Sequence, residues 1–99
     1  MPRKPRQESS TELYHVTSRG LNKSAIFAQN RERSRFLNII MEFLNEYNIM
    51  IFAYCIMSNH FHILIKAPIE ELSAFMANIL AVYAIYYNQK HHRIGYVFD

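Results

Sequence analysis

The chain has 99 residues, 51% of them apolar and 14% aromatic, so it can build one hydrophobic core and is not a disordered polymer. Its single cysteine, Cys55, cannot form a disulfide within the chain, and we expect a buried thiol and a reducing compartment. The formal net charge of +3 at pH 7 is compatible with a nucleic-acid partner.

The N-terminal segment contains three cations and two prolines and is followed by no apolar run, so it does not resemble a signal peptide. We interpret residues 1–11 as a flexible basic arm and residues 12–99 as one domain. No run of about 18 apolar residues occurs, and we therefore expect no membrane-spanning helix, no membrane partner and a cytoplasmic location.

The first half of the domain predicts a strand, a loop and a helix. Leu13–Ser18 has strand composition and stops at the Arg19-Gly20 pair. After a loop with an apolar contact at Ile26-Phe27, Asn30 is an N-cap for a helix over residues 31–47. Apolar residues at spacings of three and four give this helix one buried stripe: Phe36, Ile39, Ile40, Phe43, Leu44 and Tyr47.

The second half predicts a hairpin and a long helix. Ile49–Ile56 has strand composition, Met57–Asn59 has turn chemistry, and His60–Lys66 is the return strand, which Pro68 ends. A helix over residues 70–90 follows. Its stripe consists of Leu72, Phe75, Met76, Ile79, Leu80, Tyr83, Tyr86 and Tyr87.

The order β-α-β-β-α, with Tyr96–Phe98 as the opening of a further strand, predicts an α+β fold of ferredoxin-like type. We expect an antiparallel sheet, both helices on one face, and an incomplete final strand. Because strand side chains alternate, Phe61, Ile63 and Ile65 should face the helices. The open face of the sheet should then carry His60, His62 and Leu64.

His60 and His62 are the candidate metal ligands, because two imidazoles on one strand face can bind one ion. The competing interpretation is a pair of surface histidines without a ligand. Two imidazoles do not satisfy a hard ion, so a carboxamide or carboxylate should complete the site. Strand alternation makes Asn59 a poor choice for that ligand. His15, on the first strand, could line the same face or be a structural histidine.

Four positions are candidate contacts for the phosphates of a nucleic-acid partner, which the net charge allows. Arg19 offers a fork of donors, and Gly20 allows close backbone approach. Lys90 and Arg93 follow at the end of the second helix. The competing interpretation is a solvated cap, because cations are favourable at the C-terminus of a helix.

The chain resembles the insertion-sequence-200-like transposases, which are single-tyrosine HUH enzymes, and within them the branch associated with repetitive extragenic palindromes (REP). The resemblance is carried by the segments Tyr14–Gly20 and Ala53–Leu64, with Tyr87-Asn88, Gly95 and Phe98 following at similar spacing. It extends from about residue 13 to residue 99. It departs at Ser58, where the family usually has proline.

The resemblance implies metal-assisted transesterification of single-stranded or hairpin DNA through a phosphotyrosine intermediate. His60 and His62 would hold Mg²⁺ or Mn²⁺, and a homodimer is compatible with the family. The family's nucleophilic tyrosine lies on a helix beyond the Gly95–Phe98 segment, so we expect the C-terminal part of the enzyme to be missing. Within the chain, Tyr83 is the weak substitute candidate, although its place on the apolar stripe favours core packing. A catalytically inactive hairpin-binding module is the alternative. A metal-dependent hydrolase is a third hypothesis. The lack of a clear acidic pair near the histidines argues against it.

Overall fold

The computed structural model describes residues 8–99, so residues 1–7 of the predicted arm lie outside the described part of the chain. Within it, Ser9 is tied to the domain, since its backbone N–H donates to the Tyr14 hydroxyl at 2.8 Å. A short 3-10 turn, Leu21–Lys23, follows the first strand. The main elements are β1 (Leu13–Arg19), α1 (Asn30–Leu44), β2 (Met50–Ile56), β3 (His60–Lys66) and α2 (Ile69–His91).

The three strands form one antiparallel sheet in the order β1-β3-β2. β3 therefore lies between two strands that run in the opposite direction, and α1 makes the crossover from β1 to β2. This topology confirms the predicted α+β fold. The predicted final strand is represented by one antiparallel bridge between Phe98 and Gly20 at the outer edge of β1.

β3 divides the sheet into two chemically different faces. Phe61, Ile63 and Ile65 are at most 1% exposed and join the core formed with both helices, as the alternation predicts. His60, His62 and Leu64 occupy the other face and are partly exposed. The core is strongly aromatic at this level, with ring centroids 4.9 to 6.3 Å apart among Phe27, Phe36, Phe61 and Tyr83.

α1 begins with a capping box, one residue earlier than the predicted cap. Gln29 is the N-cap residue, its side chain accepts from the backbone of Glu32, and the Glu32 side chain reaches back to the N–H of Gln29. Asn30 is thus the first helical residue. The helix ends at Leu44 because Glu46 and Tyr47 turn back onto Phe43 and Leu44 in tighter hydrogen bonds.

α2 is long and apolar enough, by length and composition alone, to cross a membrane, contrary to the expectation that no segment would be. The core helices of soluble proteins meet the same criterion. Here one stripe of the helix is buried against the rest of the fold: Leu72, Phe75, Met76, Ile79 and Tyr83.

Candidate metal and nucleic-acid site

His60 and His62 lie side by side on the open face of the sheet. Their ring centroids are 5.0 Å apart and their planes are nearly perpendicular, at 85°. Both side chains are partly exposed, so solvent and a ligand can reach them. The predicted sharing of one face is therefore correct, and the core on the opposite face of β3 fixes the direction of both side chains.

Asn59 fixes the tautomer of His60. Nδ1 of His60 lies 2.7 Å from Oδ1 of Asn59, and the amide nitrogen of Asn59 faces the Lys23 carbonyl oxygen at 3.5 Å. An amide oxygen only accepts, so Nδ1 of His60 donates and its Nε2 keeps a free lone pair. In the sequence, Asn59 was weighed only as a metal ligand. Its effect on the tautomer of His60 was missed, because it depends on the orientation of the β2–β3 turn.

His15 joins the pair from the neighbouring strand. In the β1–β3 register Thr17 is opposite His62, so His15 is the diagonal neighbour of His62 on the same face. Nε2 of His15 lies 3.0 Å from Nδ1 of His62. The structure thus brings three histidines together where the sequence singled out two as ligands.

The histidine pair fits an open metal site rather than a closed one. Within residues 8–99, no three His, Cys, Asp or Glu side chains are grouped closely enough to hold a metal ion by themselves. Mg²⁺ binds in proteins with few protein ligands and several oxygens from water or phosphate. His60 and His62 can supply two nitrogens to such an ion, and most of the coordination would remain for oxygen ligands.

Cys55 is exposed, and the prediction of a buried thiol is wrong. The residue is directly opposite His62 in the β2–β3 register, which places it on the open face. The register of β2 shifts between Ile51 and Ala53, whereas the pairing from Ala53 to the turn is regular and sets the facing of Cys55. Sγ of Cys55 lies 3.5 Å from Sδ of Met57.

Arg19 lies beside the histidines, whereas Gly20 faces inward. Arg19 is opposite His60 in the register, is about half exposed, and pairs with Asp99 through Nη2 and Oδ2 at 3.1 Å. Gly20 is buried, and a Cβ there would collide with the carbonyl oxygen of Ser24. The missing side chain at Gly20 therefore lets its backbone pack closely against the Ser24 backbone of the same protein.

Both basic candidates at the end of α2 are engaged within the protein. Lys90 is hydrogen-bonded to the side chain of Gln29 and lies 3.5 Å from the Glu32 carboxylate. Arg93 donates to Oδ1 of Asn88 at 2.6 Å and to the carbonyl oxygen of Tyr96 at 3.1 Å. A DNA phosphate would have to compete with these partners.

Glu32 is the buried carboxylate that joins the two helices. It is 1% exposed and accepts a hydrogen bond from Nε2 of His91 at 2.7 Å. Burial acts to raise the pKa of its carboxyl. The His91 hydrogen bond, the Gln29 N–H and the positive charge of Lys90 outweigh that effect and hold the pKa below its ordinary value.

Tyr83 is a packing residue in this structure. Its side chain is fully buried, and its hydroxyl donates to the carbonyl oxygen of Ile26 at 2.5 Å. Burial, with Glu32 nearby, raises the pKa of the hydroxyl far above its usual range. α2 also covers the face of the sheet opposite the histidines. Neither the position nor the acidity of Tyr83 suits a nucleophile at His60 and His62.

A family model described as "Transposase IS200 like" matches residues 9–97 of this chain. Among solved structures, a REP-associated tyrosine transposase bound to a REP hairpin superposes on it with a TM-score of 0.72 at 12% sequence identity. The match covers 100% of this chain and 58% of that protein, so this chain spans little more than half of its length. No curated protein matches the chain. At this identity the structural likeness establishes the fold, and the family model, which spans nearly the whole chain, establishes that the protein belongs to the IS200-like transposases.

Proposed function

We propose that this chain carries the metal-binding and DNA-binding part of a transposase that cleaves and rejoins single-stranded or hairpin DNA. The observation that carries the proposal is the open face of the sheet, where His60 and His62 are accessible beside Arg19. Membership of the IS200-like family supports it. The solved protein of the same fold was bound to a REP hairpin, and we propose a hairpin as the ligand class here too.

Each residue has a distinct role in the proposed site. His60 and His62 would hold Mg²⁺ or Mn²⁺, and Asn59 keeps the ring of His60 in the tautomer that leaves Nε2 free. When bound, the ion supplies charge stabilisation at a non-bridging oxygen of the scissile phosphate. Arg19 offers its guanidinium to a neighbouring phosphate once it leaves Asp99.

The proposed reaction is a transesterification by a tyrosine. The hydroxyl oxygen attacks phosphorus, a tyrosine–phosphate bond forms, and the bond to the 3′ oxygen breaks to leave a free 3′-OH. The resemblance assigns this tyrosine to a helix beyond Gly95–Phe98. In the described part of the chain, no tyrosine is hydrogen-bonded to the histidines, and Tyr83 is sealed in the core.

A catalytically inactive DNA-binding module is the second candidate. The enclosure of Tyr83 favours it for these 99 residues, because the open face then offers metal and phosphate contacts without a nucleophile. A metal-dependent hydrolase is less well supported, since within residues 8–99 no group of three His, Cys, Asp or Glu side chains could hold an ion for water activation. The two DNA-directed candidates differ in one observable, a covalent protein–DNA product.

The test combines a mobility shift with a denaturing gel, using end-labelled single-stranded DNA that contains a hairpin. We expect binding that Mn²⁺ strengthens in the wild type but not in His62→Ala. A metal-dependent adduct would favour the enzyme, and its persistence in Tyr83→Phe would exclude Tyr83 as the nucleophile. Binding without an adduct would favour the module. Absence of binding at low salt across several hairpins, with the fold intact by circular dichroism, would refute both.

A further inference from the structure

His15 and His62 meet edge to edge across the sheet. Nε2 of His15 and Nδ1 of His62 are 3.0 Å apart, and the ring planes differ by 19°. The ring centroids are 5.1 Å apart, which exceeds the nitrogen–nitrogen distance by roughly two ring radii. The rings are therefore nearly coplanar with their nitrogens facing each other, as in a hydrogen bond, and are not stacked face on face.

The direction of this hydrogen bond decides whether His62 can bind a cation. A neutral imidazole has one nitrogen that donates and one that accepts. If His15 donates, His62 carries its own proton on Nε2, and that nitrogen has no lone pair to offer. If His62 donates from Nδ1, its Nε2 remains free. The position of one proton on His15 thus separates a competent site from a blocked one.

His60 and the exposure of His15 favour the second arrangement. The Asn59 oxygen already requires His60 to donate from Nδ1 and to present Nε2. Within residues 8–99, no hydrogen bond joins Nε2 of His62 to a protein acceptor, whereas Nδ1 of His62 has His15 as its partner. His15 is exposed, so its own Nδ1 proton can be donated to water.

We propose that His15 is a positioning residue, whose Nε2 accepts the Nδ1 proton of His62 and so keeps Nε2 of His62 available to a divalent metal ion. His15 itself stays outside the coordination, because the nitrogen that faces His62 holds this hydrogen bond. With Asn59 behind His60, each histidine of the pair then has its own outer partner. The metal part rests on the proposed function, whereas the tautomer of His62 is a property of the protein alone.

The tautomer is measured by nitrogen-15 NMR of the histidine rings, without metal, at about pH 8, which is above the pKa of a free imidazole. We expect His62 to be protonated at Nδ1 in the wild type and to shift towards the Nε2-protonated form in His15→Phe, which keeps a ring without nitrogens. His15→Gln supplies an amide oxygen and should restore the wild-type tautomer. Leu13→Phe, which adds an aromatic ring on the same face of β1, is the matched control and should change nothing.

Mn²⁺ affinity, measured by electron paramagnetic resonance on the same variants, provides the second readout. We expect His15→Phe to weaken Mn²⁺ binding about tenfold or more, because a metal-ligating histidine that loses its hydrogen-bond partner typically loses affinity by this factor. His15→Gln should retain most of the affinity. Added Zn²⁺, which is diamagnetic, should move the Nε2 resonance of His62 and not that of His15 Nε2.

The outcomes separate this proposal from the proposed function. Protonation of wild-type His62 at Nε2, a tautomer unaffected by His15→Phe, or a metal-shifted Nε2 on His15 would each overturn the positioning role. A tautomer that responds to His15→Phe in a protein that binds no Mn²⁺ would support the hydrogen bond and refute the metal site.

Discussion

At the scale of single residues, the open face is defined by which groups face each other across strands. Cys55 is opposite His62, and Arg19 is opposite His60, so a thiol and a guanidinium border the histidine pair. His15 reaches the same pair diagonally. The chemistry of the site therefore depends on pairings between β1, β2 and β3, which no single segment of the sequence contains.

The exposed thiol gives a direct test of this face. We expect Cys55 to react fully with an aromatic disulfide reagent in the folded protein, at a rate similar to that in denaturant, because the side chain is exposed. A bulky maleimide on the thiol should then lower Mn²⁺ affinity by crowding His62. Cys55→Ser, which cannot be labelled, should keep its metal affinity under the same treatment. A thiol protected in the native state would contradict the placement of β2.

Gly20 should be required because a larger side chain does not fit, and not because its backbone needs a conformation that favours glycine. Its backbone lies in the extended region, with φ −60° and ψ 141°, but an added Cβ would collide with the Ser24 carbonyl oxygen. We expect Gly20→Ala to lower the free energy of unfolding in urea by about 2 kcal/mol or more. Gly95→Ala is the comparison, because Gly95 has φ +96° in open space and should cost only about 1 kcal/mol through backbone strain. Equal losses would argue against the collision.

At the scale of elements, the sequence predicts best where periodicity and burial agree. The bounds of β3 match the prediction, because the buried Phe61, Ile63 and Ile65 alternate with less buried residues and a clear turn precedes the strand. α1 begins one residue earlier than predicted, because Gln29 forms a capping box with Glu32 and Asn30 is already helical. The exposure of Cys55 was missed because the prediction rested on strand composition alone, whereas the regular pairing back from the turn places Cys55 opposite His62 on the open face.

The junction of α1 and α2 should make stability depend on pH through Glu32. Its pKa in the folded protein lies below the ordinary value of 4.5, so the carboxylate stabilises the fold fully above that pH and less as the pH falls through the folded pKa. We expect Glu32→Gln to cost about 2 kcal/mol of unfolding free energy at pH 7. The difference should shrink towards pH 3 in urea titrations.

The control for this prediction lies on the exposed side of the same helix. Glu42→Gln removes a carboxylate from α1 at an exposed position and should change stability little at either pH. If Glu32→Gln cost the same amount at pH 7 and at pH 3, packing rather than charge would account for the loss.

At the scale of the whole molecule, the sheet separates a structural layer from the proposed binding layer. Both helices, the aromatic core and the Glu32 junction lie on one side, and the three histidines lie on the other. Two of the predicted DNA contacts, Lys90 and Arg93, are occupied by partners within the protein. Of the predicted DNA contacts, Arg19 combines an exposed cation with a place beside the histidines, and DNA binding should therefore depend on it more than on Lys90 or Arg93.

The salt dependence of hairpin binding measures this directly. Each phosphate contact contributes about 0.7 to 0.9 to the slope of log K against log salt, so Arg19→Gln should reduce the slope by nearly one and weaken binding at low salt. Asp99→Asn should act in the opposite direction on affinity, because it releases Arg19 from its ion pair. Arg31→Gln, at an exposed position of α1 in the helical layer, should leave both slope and affinity close to the wild type. If Arg31→Gln changed the slope as much as Arg19→Gln, the DNA would contact the helices, and the proposal that the open face binds nucleic acid would be wrong.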